Sequence, residues 1–441
     1  MVTEPEPAQE SAEGFKLTQL GPLPEAWEAV QLGDVMKQRK EFLRIDESTE
    51  YKRCRVQVRG QGVVLRDTVR GESLRTKLQQ VCRKGEFLTA EIDAKVGGFG
   101  VVPEDFEGAI VSSHYFLFQI DGTRLHSAFL NYFVRLPAFL HQVQARGSTN
   151  YASVRPNHVL GYVIPLPPLS EQRAIAHVLS TIQSAIEATD RVIAAAREFK
   201  RSLMQYLFTY GPVAVSEAEF VPLKETEIGP MPEHWDVVSL GKVTTASQYG
   251  LSLRGSADGA FPILRMNNLA NGHVDSSSLQ YVNLDGNSFR KFKVHKGDIL
   301  FNRTNSHDLV GKTALFDSER DFVFASYLIR VVTDGERLCP QYLNDLLNWD
   351  PSQVRLKALA SRGVSQSNIS ASKLRNLEVP LPPTSEQCHI ADVLSAVVHK
   401  IETEEKRKAA LKELFRTMLH LLMTGQVRVR SFLPKAEKEV S

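Results

Sequence analysis

Residues 165–180 read PLPPLSEQRAIAHVLS, and residues 380–395 read PLPPTSEQCHIADVLS; twelve of the sixteen positions are identical. A chain that writes one Pro-rich stop and one helix start twice, 215 residues apart, is constrained to fold as two copies of one plan. A second pair agrees. LGPLPEAWEAVQLGDV (Leu20–Val35) returns as IGPMPEHWDVVSLGKV (Ile228–Val243), matching Trp27 with Trp235 and Gly33 with Gly241. Each copy opens on G-P-x-P-E-x-W and closes on P-L-P-P-x-S-E-Q followed by a long segment.

Those long segments carry the clearest periodicity. From Ser170 to about Thr209 there is no Gly or Pro, and apolar residues recur at helical spacing: Ile175, Val178, Leu179, Ile182, Ile186, Val192, Ile193, Phe199, Leu203 and Leu207. The second copy sets out Ile390, Val393, Leu394, Val397, Ile401, Leu411, Leu414, Met418 and Leu422 in the same way. Ser170 and Ser385 stand where N-caps belong, and Gly211 and Gly425 where glycines end helices. Helices of about 40 residues would each run roughly 60 Å. A helix that long with one apolar stripe needs a partner, and the other copy supplies one. The stripe is wider than a strict coiled-coil seam, which leaves room for a further docking surface. Lys400, Glu404 and Arg407 interrupt the second stripe. Parallel and antiparallel pairing both stay open on this reading, because the linker Pro212–Leu223 leads into a second globular region.

The intervening regions, Met36–Val163 and Thr244–Glu378, read as mixed α/β. Short strand-like runs (GVVLRDTV, FPILRMNNL, GDILFNRT, FVFASYLIRVV) are punctuated by Gly, Asn and Asp. They share a fainter echo. KGEFLTAEID (Lys84–Asp93) sits where KGDILFNRTN (Lys296–Asn305) sits, and SSHYFLFQI pairs with ASYLIRVV. The polar residues differ between the copies. Two readers of different ligands would look like this, and so would a duplicated domain that diverged without functional meaning.

Composition excludes some classes. At 42% hydrophobic and 24% charged residues the chain is ordinary for a globular protein of two or three domains. No apolar run approaches the roughly 20 residues of a membrane span. The start, MVTEPEPAQESAEG, predicts a short disordered tail rather than a secretory signal. Cys54, Cys82, Cys339 and Cys388 lie far apart with no C-x-x-C pair, which predicts neither a disulfide framework nor a zinc site and fits a reducing, cytoplasmic setting. The net charge of +2 is uninformative, but its distribution is not. Tyr51–Lys84 holds ten basic residues against Asp67 and Glu72, and Pro351–Arg375 holds five against none. Two such excesses point to a polyanion, with a plain solvated basic surface as the alternative.

Two motifs invite catalytic readings. Asp93-Ala94-Lys95 is a D-x-K element, in which carboxylates would hold Mg²⁺ and the lysine would polarise a water. Its second-copy counterpart, Arg303, Asn305 and His307, lacks the pattern, so a phosphate contact or a surface loop is the better reading. Gly97-Gly98-Phe99-Gly100 lacks a following helix and a ribose-binding acid, and is read as a turn. No N-P-P-[FY] methyltransferase signature and no His/Cys ligand set is found.

The order of these motifs resembles the specificity subunits of type I restriction–modification systems. The resemblance rests on the doubled P-L-P-P-x-S-E-Q helix, the G-P-x-P-x-x-W openings, KGDILFNRTNS with LVGKTALF (Lys296–Phe316), and IDAKVGGFGVVPEDFEGAIVSSHYFLF. It runs from about Leu17 to Val427. It implies an α/β (mixed) fold: two target-recognition domains separated by two long antiparallel helices, with a pseudo-two-fold internal repeat. On that reading residues 1–16 are a tail, 17–163 the first recognition domain, 164–211 a helical spacer, 212–378 a linker and the second domain, 379–427 the second spacer, and 428–441 a C-terminal tail. The resemblance further implies a non-catalytic chain. Each domain would read one half of a split, asymmetric double-stranded DNA target, and the helices would fix the gap. Two adenine-methylating modification subunits would dock, together with restriction (motor-nuclease) subunits. S-adenosylmethionine, Mg²⁺ and ATP would belong to those partners, and this chain would hold no cofactor or metal.

Arg and Lys suit guanine O6/N7, and Asn and Gln suit adenine N6/N7. Candidate DNA contacts in the first copy are Arg53, Arg55, Arg59, Lys84, Lys95, Arg146, Ser148, Asn150, Tyr151 and Arg155. In the second they are Gln248, Ser252, Arg254, Arg265, Asn267, Asn268, Arg303, Asn305, Ser306, Arg362, Ser365, Gln366 and Asn368. Most would position phosphates rather than read bases. Trp27 and Trp235 are expected to pack. The competing functions are a self-sufficient Mg²⁺-dependent nuclease and a coiled-coil organiser that binds DNA without sequence preference.

Overall fold

A computed structural model describes residues 14–58, 60–143, 153–362 and 366–429. The chain divides into two compact units, Met1–Thr189 with Arg407–Ser441, and Asp190–Lys406. Helices and strands are mixed in both.

The first unit is built on a four-stranded antiparallel sheet of β1 (Met36–Arg39), β2 (Phe87–Ala90), β3 (Phe99–Val101) and β4 (Tyr115–Ile120), in the order β3-β2-β4-β1. The second unit repeats that plan with β5 (Thr244–Tyr249), β6 (Ile299–Asn302), β7 (Thr313–Leu315) and β8 (Leu328–Thr333), in the order β7-β6-β8-β5. The faint sequence echo is therefore real topology. Phe87 and Ile299 start equivalent strands just after Gly85 and Gly297, whose φ of +79° and +91° suit glycine at those turns. Beyond this frame the units diverge. The first adds a five-stranded sheet that includes the long hairpin Glu50–Gln57 and Gly62–Arg70. The second extends its sheet through Gly272–Val274 and Leu269–Ala270.

Two long helices, α1 (Leu169–Tyr210) and α2 (Thr384–Met423), follow the Pro-Pro stops. The expected serine caps are corrected here. The carbonyls of Pro168 and Pro383 accept from the Gln172 and Gln387 backbone N–H groups, so the helices begin before Ser170 and Ser385, which lie inside the first turn. Gly211 and Gly425 do end the helices, with φ of +80° and +70°. Along the stripes, Ile175, Leu179, Ile186 and Ile193 are buried, whereas Val192 and Phe199 are exposed; in α2, Ile390, Leu394 and Leu422 are buried and Leu414 is exposed. Lys400 and Glu404, read as an interruption, form an ion pair one turn apart, with Glu404 buried.

The doubled S-E-Q sequence is a structural clamp. In the first unit the fully buried Trp27 donates its indole N–H to Glu171 Oε2 at 3.1 Å. In the second, Trp235 does the same to Glu386 Oε2 at 2.8 Å. The adjacent glutamines are wholly buried and fully satisfied. Gln172 donates to the Pro167 and Arg124 carbonyls and accepts from the His126 N–H. Gln387 donates to the Pro382 and Arg337 carbonyls and accepts from the Cys339 N–H. A buried amide with every group paired fixes one geometry, because any shift leaves a donor or acceptor unmet. Each sheet is thereby tied to the start of the helix that follows it.

The end of the other helix joins each clamp. In the first unit Gly425 approaches Pro24 and Trp27, and Arg428 pairs with Glu171 through two bonds of 2.5 and 2.7 Å. Arg428 and the buried Val429 are thus part of the fold, not of a C-terminal tail. In the second unit Gly211 lies against Trp235 and Glu386, and Arg197 pairs with Glu405. The cysteines, far apart in sequence, are not all apart in space: the Cys54 and Cys82 sulfurs lie 3.5 Å apart in the first core, as free thiols.

Candidate nucleic-acid interface

In each unit the loop after the second strand of the sheet meets two other loops, and the meeting is made by the same backbone bonds. The Glu91 N–H donates to the His114 carbonyl at 2.8 Å, and the Glu91 carbonyl accepts from the Val154 N–H at 2.8 Å. In the second unit the Arg303 N–H donates to the Tyr327 carbonyl at 3.0 Å, and its carbonyl accepts from the Ile369 N–H at 2.9 Å. Glu91 and Arg303 are therefore structural equivalents, as are His114 and Tyr327. The frame repeats while the side chain at its centre changes sign.

In the first unit Glu91 is nearly buried, and each carboxylate oxygen holds a different exposed group. Oε2 binds His114 Nδ1 at 3.0 Å and Oε1 binds the Arg155 guanidinium at 2.8 Å. In the second, the Arg303 guanidinium lies 4.7 Å over the Tyr249 ring and donates to the Ser326 carbonyl and to Asn368 Oδ1. Asn368 also donates to Thr304 Oγ1 at 2.8 Å. The small sheet of Thr304–Asn305, Ser367–Asn368 and Ser361–Arg362 gathers the remaining polar residues here. Asn305, Ser306 and Gln366 lie on this edge, the last two exposed. Ser252 and Arg254 are exposed on the loop whose Leu251 carbonyl accepts from the Ser326 N–H.

Several expected contacts are engaged elsewhere. Asn268 is buried, its Oδ1 accepts from the Arg265 N–H and its Nδ2 donates to the Asp275 and Ser278 carbonyls, so this amide locks its own hairpin and presents nothing outward. Gln248 is held from both sides, donating to the Lys291 carbonyl and accepting from Arg330 at 2.6 Å. Arg265 is half-buried beside the exposed Asn267. In the first unit Arg53 forms a two-bond pair with Asp67 across the long hairpin. Lys84 pairs with Glu104, and Arg83 with Glu41 and Glu107. The basic run thus owes much of its charge balance to acids from neighbouring loops. Those pairings push the Arg53 and Lys84 pKa values up, chiefly through hydrogen bonds to the carboxylates. Arg55 and Lys95 are exposed. Arg59, Arg146, Ser148, Asn150, Tyr151 and Ser365 lie outside the described residues, as does the side chain of Arg362.

Asp93 and Lys95 occupy a single 3-10 turn, Asp93–Val96, closed by Gly97 at φ +84°. A Cβ on Gly98 would lie 2.7 Å from Asp93, and one on Gly100 2.7 Å from Gly62, so those glycines serve close backbone packing. Among the described residues no group of three or more His, Cys, Asp or Glu is placed to hold a metal ion, and no helix is long and apolar enough to cross a membrane. Sequence reasoning missed His114, Tyr249 and Tyr327. The signal was present, since S-H-Y and S-Y-L hold the same place in the echoed strands, but an aromatic beside a strand reads as core.

Residues 24–196 and 232–413 match the family described as the type I restriction modification DNA specificity domain. The chain belongs to this family, and its function is that of a DNA-binding type I restriction–modification specificity subunit. It is 26% identical over 429 residues to the type I restriction enzyme MjaVIII specificity subunit of Methanocaldococcus jannaschii, covering 93% of this chain and 95% of that one. It is 23% identical to the EcoKI specificity subunit of Escherichia coli K12, over 64% of this chain and 61% of that one. In fold it resembles the type I restriction-modification system S subunit of M. genitalium, with a TM-score of 0.57 over 90% of this chain and 96% of that one at 14% identity.

Proposed function

We propose that the two units read the two halves of a split, asymmetric DNA target, and that α1 and α2, paired antiparallel, set the gap between them. The observation that carries this is the repeated frame with exchanged side chains. One strand order and one set of backbone bonds support Glu91 in the first unit and Arg303 in the second. A domain that bound DNA only through its charge would have no use for opposite charges at equivalent centres. Two unlike readers predict two unlike half-sites, and hence a target without palindromic symmetry.

On this reading the chain is non-catalytic. Two modification subunits that methylate adenine dock on the helices, and restriction subunits join them. The methyl donor S-adenosylmethionine, with Mg²⁺ and ATP, belongs to those partners. The competing nuclease reading is not favoured, because Asp93 and Lys95 stand on a lone exposed turn. The test is domain exchange. Replacing residues 244–378 with the equivalent region of another specificity subunit should change one half of the methylated sequence and leave the other half and the gap unchanged. A change in both halves would refute the reading.

A further inference from the structure

Resting on the two-reader function, the geometry points to particular selectors. We propose that His114 and Arg155 select the bases of the first half-site, that Tyr327 does so at the equivalent place in the second, and that Glu91 and Arg303 are positioning residues that fix them.

The first argument is rigidity. A phosphate contact needs only a charge on a flexible stem, whereas base reading needs a donor or acceptor held in a fixed direction. The long hairpin of the first unit offers charge. The loops at Glu91 offer direction, because Glu91 ties both of them through its backbone and both exposed side chains through its carboxylate. His114 and Arg155 remain 70% and 63% exposed while anchored at one end, so their other ends are aimed, and no described residue bonds them.

The second argument is chemical. A carboxylate only accepts, so His114 Nδ1 carries the proton it donates to Glu91. In the neutral ring Nε2 is then an outward acceptor, which complements an exocyclic amino group, either adenine N6 or cytosine N4. Arg155 gives part of its fork to Glu91, and its remaining N–H groups, which bond no other described residue, suit guanine O6 and N7. The third argument is equivalence. Tyr327 occupies the His114 position and is 44% exposed, while the neighbouring Arg303 and Asn368 are bonded inward.

The test uses the full chain assembled with its modification subunits and a DNA library randomised at every position of both half-sites. Base preference is scored by methylation, and total affinity is measured alongside. Arg155→Ala should lower discrimination at a guanine of the first half about tenfold or more, with the second half unchanged. Arg155→Lys should restore affinity but not that discrimination, since an ammonium keeps the charge and loses the fork. His114→Ala and Glu91→Gln should relax neighbouring first-half positions, and Tyr327→Ala only the second half. Unchanged base profiles, with or without weaker binding, would overturn the assignment, as would relaxation in both halves from one substitution. A wild-type complex with no base preference would refute the two-reader function and the assignment with it.

Discussion

Glu91 and Arg303 hold one place in two copies of one frame, yet one is an acid gathering donors and the other a base stacked on a tyrosine. Elsewhere in each unit, Trp27 with Glu171 and Trp235 with Glu386 repeat the same indole-to-carboxylate hydrogen bond. The contrast separates two kinds of constraint. A buried indole hydrogen-bonded to a carboxylate has few alternatives, because any replacement leaves a cavity or an unpaired polar group. A surface loop tolerates a change of sign at its half-buried centre, provided that the backbone bonds around it survive. The repeat is therefore strict where the fold is held and free where a ligand would be read.

The clamps differ in how closely the helix-ending glycine packs and in what faces the glutamate, and both differences can be sharpened. Trp27→Ala or Trp235→Ala should have the largest effect, about 3–5 kcal/mol of lost stability in its own unit by chemical denaturation. Equal insensitivity of both units would break the clamp account. Next are the helix-ending glycines. Gly425→Ala forces a positive φ on alanine and sets a Cβ 2.3 Å from Pro24, whereas Gly211→Ala meets its nearest neighbours at 3.5 Å. Both should cost about 1–2 kcal/mol for the left-handed backbone, and Gly425→Ala a further 1–3, roughly, for overpacking. Thermal melts of the two variants should rank in that order.

The acids follow. Glu171 faces a permanent cation in Arg428, and Glu386 faces His234 at 2.8 Å in a more open site. Glu171→Gln should cost roughly 1–3 kcal/mol, and Glu386→Gln under about 1 kcal/mol because its partner is half exposed. Reversal of that order would mean that Arg428 does not anchor the first clamp.

The smallest effect concerns Asp345, buried on the short helix Pro340–Asn348. Burial raises its carboxyl pKa, only partly offset by the hydrogen bond from Gln341. The folded state then keeps this proton at pH values where the unfolded chain has lost it. The second unit therefore loses stability as pH rises from the ordinary carboxylate range through the raised pKa, and the penalty is constant above it. Asp345→Asn should remove that pH-dependent loss, seen as a flatter dependence of the unfolding midpoint on pH.

How much of this was legible in the sequence depends on how local the signal is. The two long helices and their closing glycines could be read from spacing alone, since apolar period and φ-permissive residues are local features. The matched strands could be read from KGEF and KGDI for the same reason. The clamps could not, because Trp27 and Glu171 are 144 residues apart and neither residue type announces a partner. Asn268 was misread because a polar residue in R-M-N-N looks like a loop tip, whereas its amide closes a hairpin from inside. The basic run was overvalued because Glu41, Glu104 and Glu107 reach it only in three dimensions. His114 and Tyr327 were overlooked because exposure is a property of the fold, not of the residue.

The most direct test of the two-reader account is a genome-wide map of N6-methyladenine in cells that express this chain with its modification subunit, against cells that lack the chain. The account predicts a single bipartite motif with two different halves and a fixed gap, present only with the chain. A continuous or palindromic motif, or methylation unchanged by removing the chain, would contradict it.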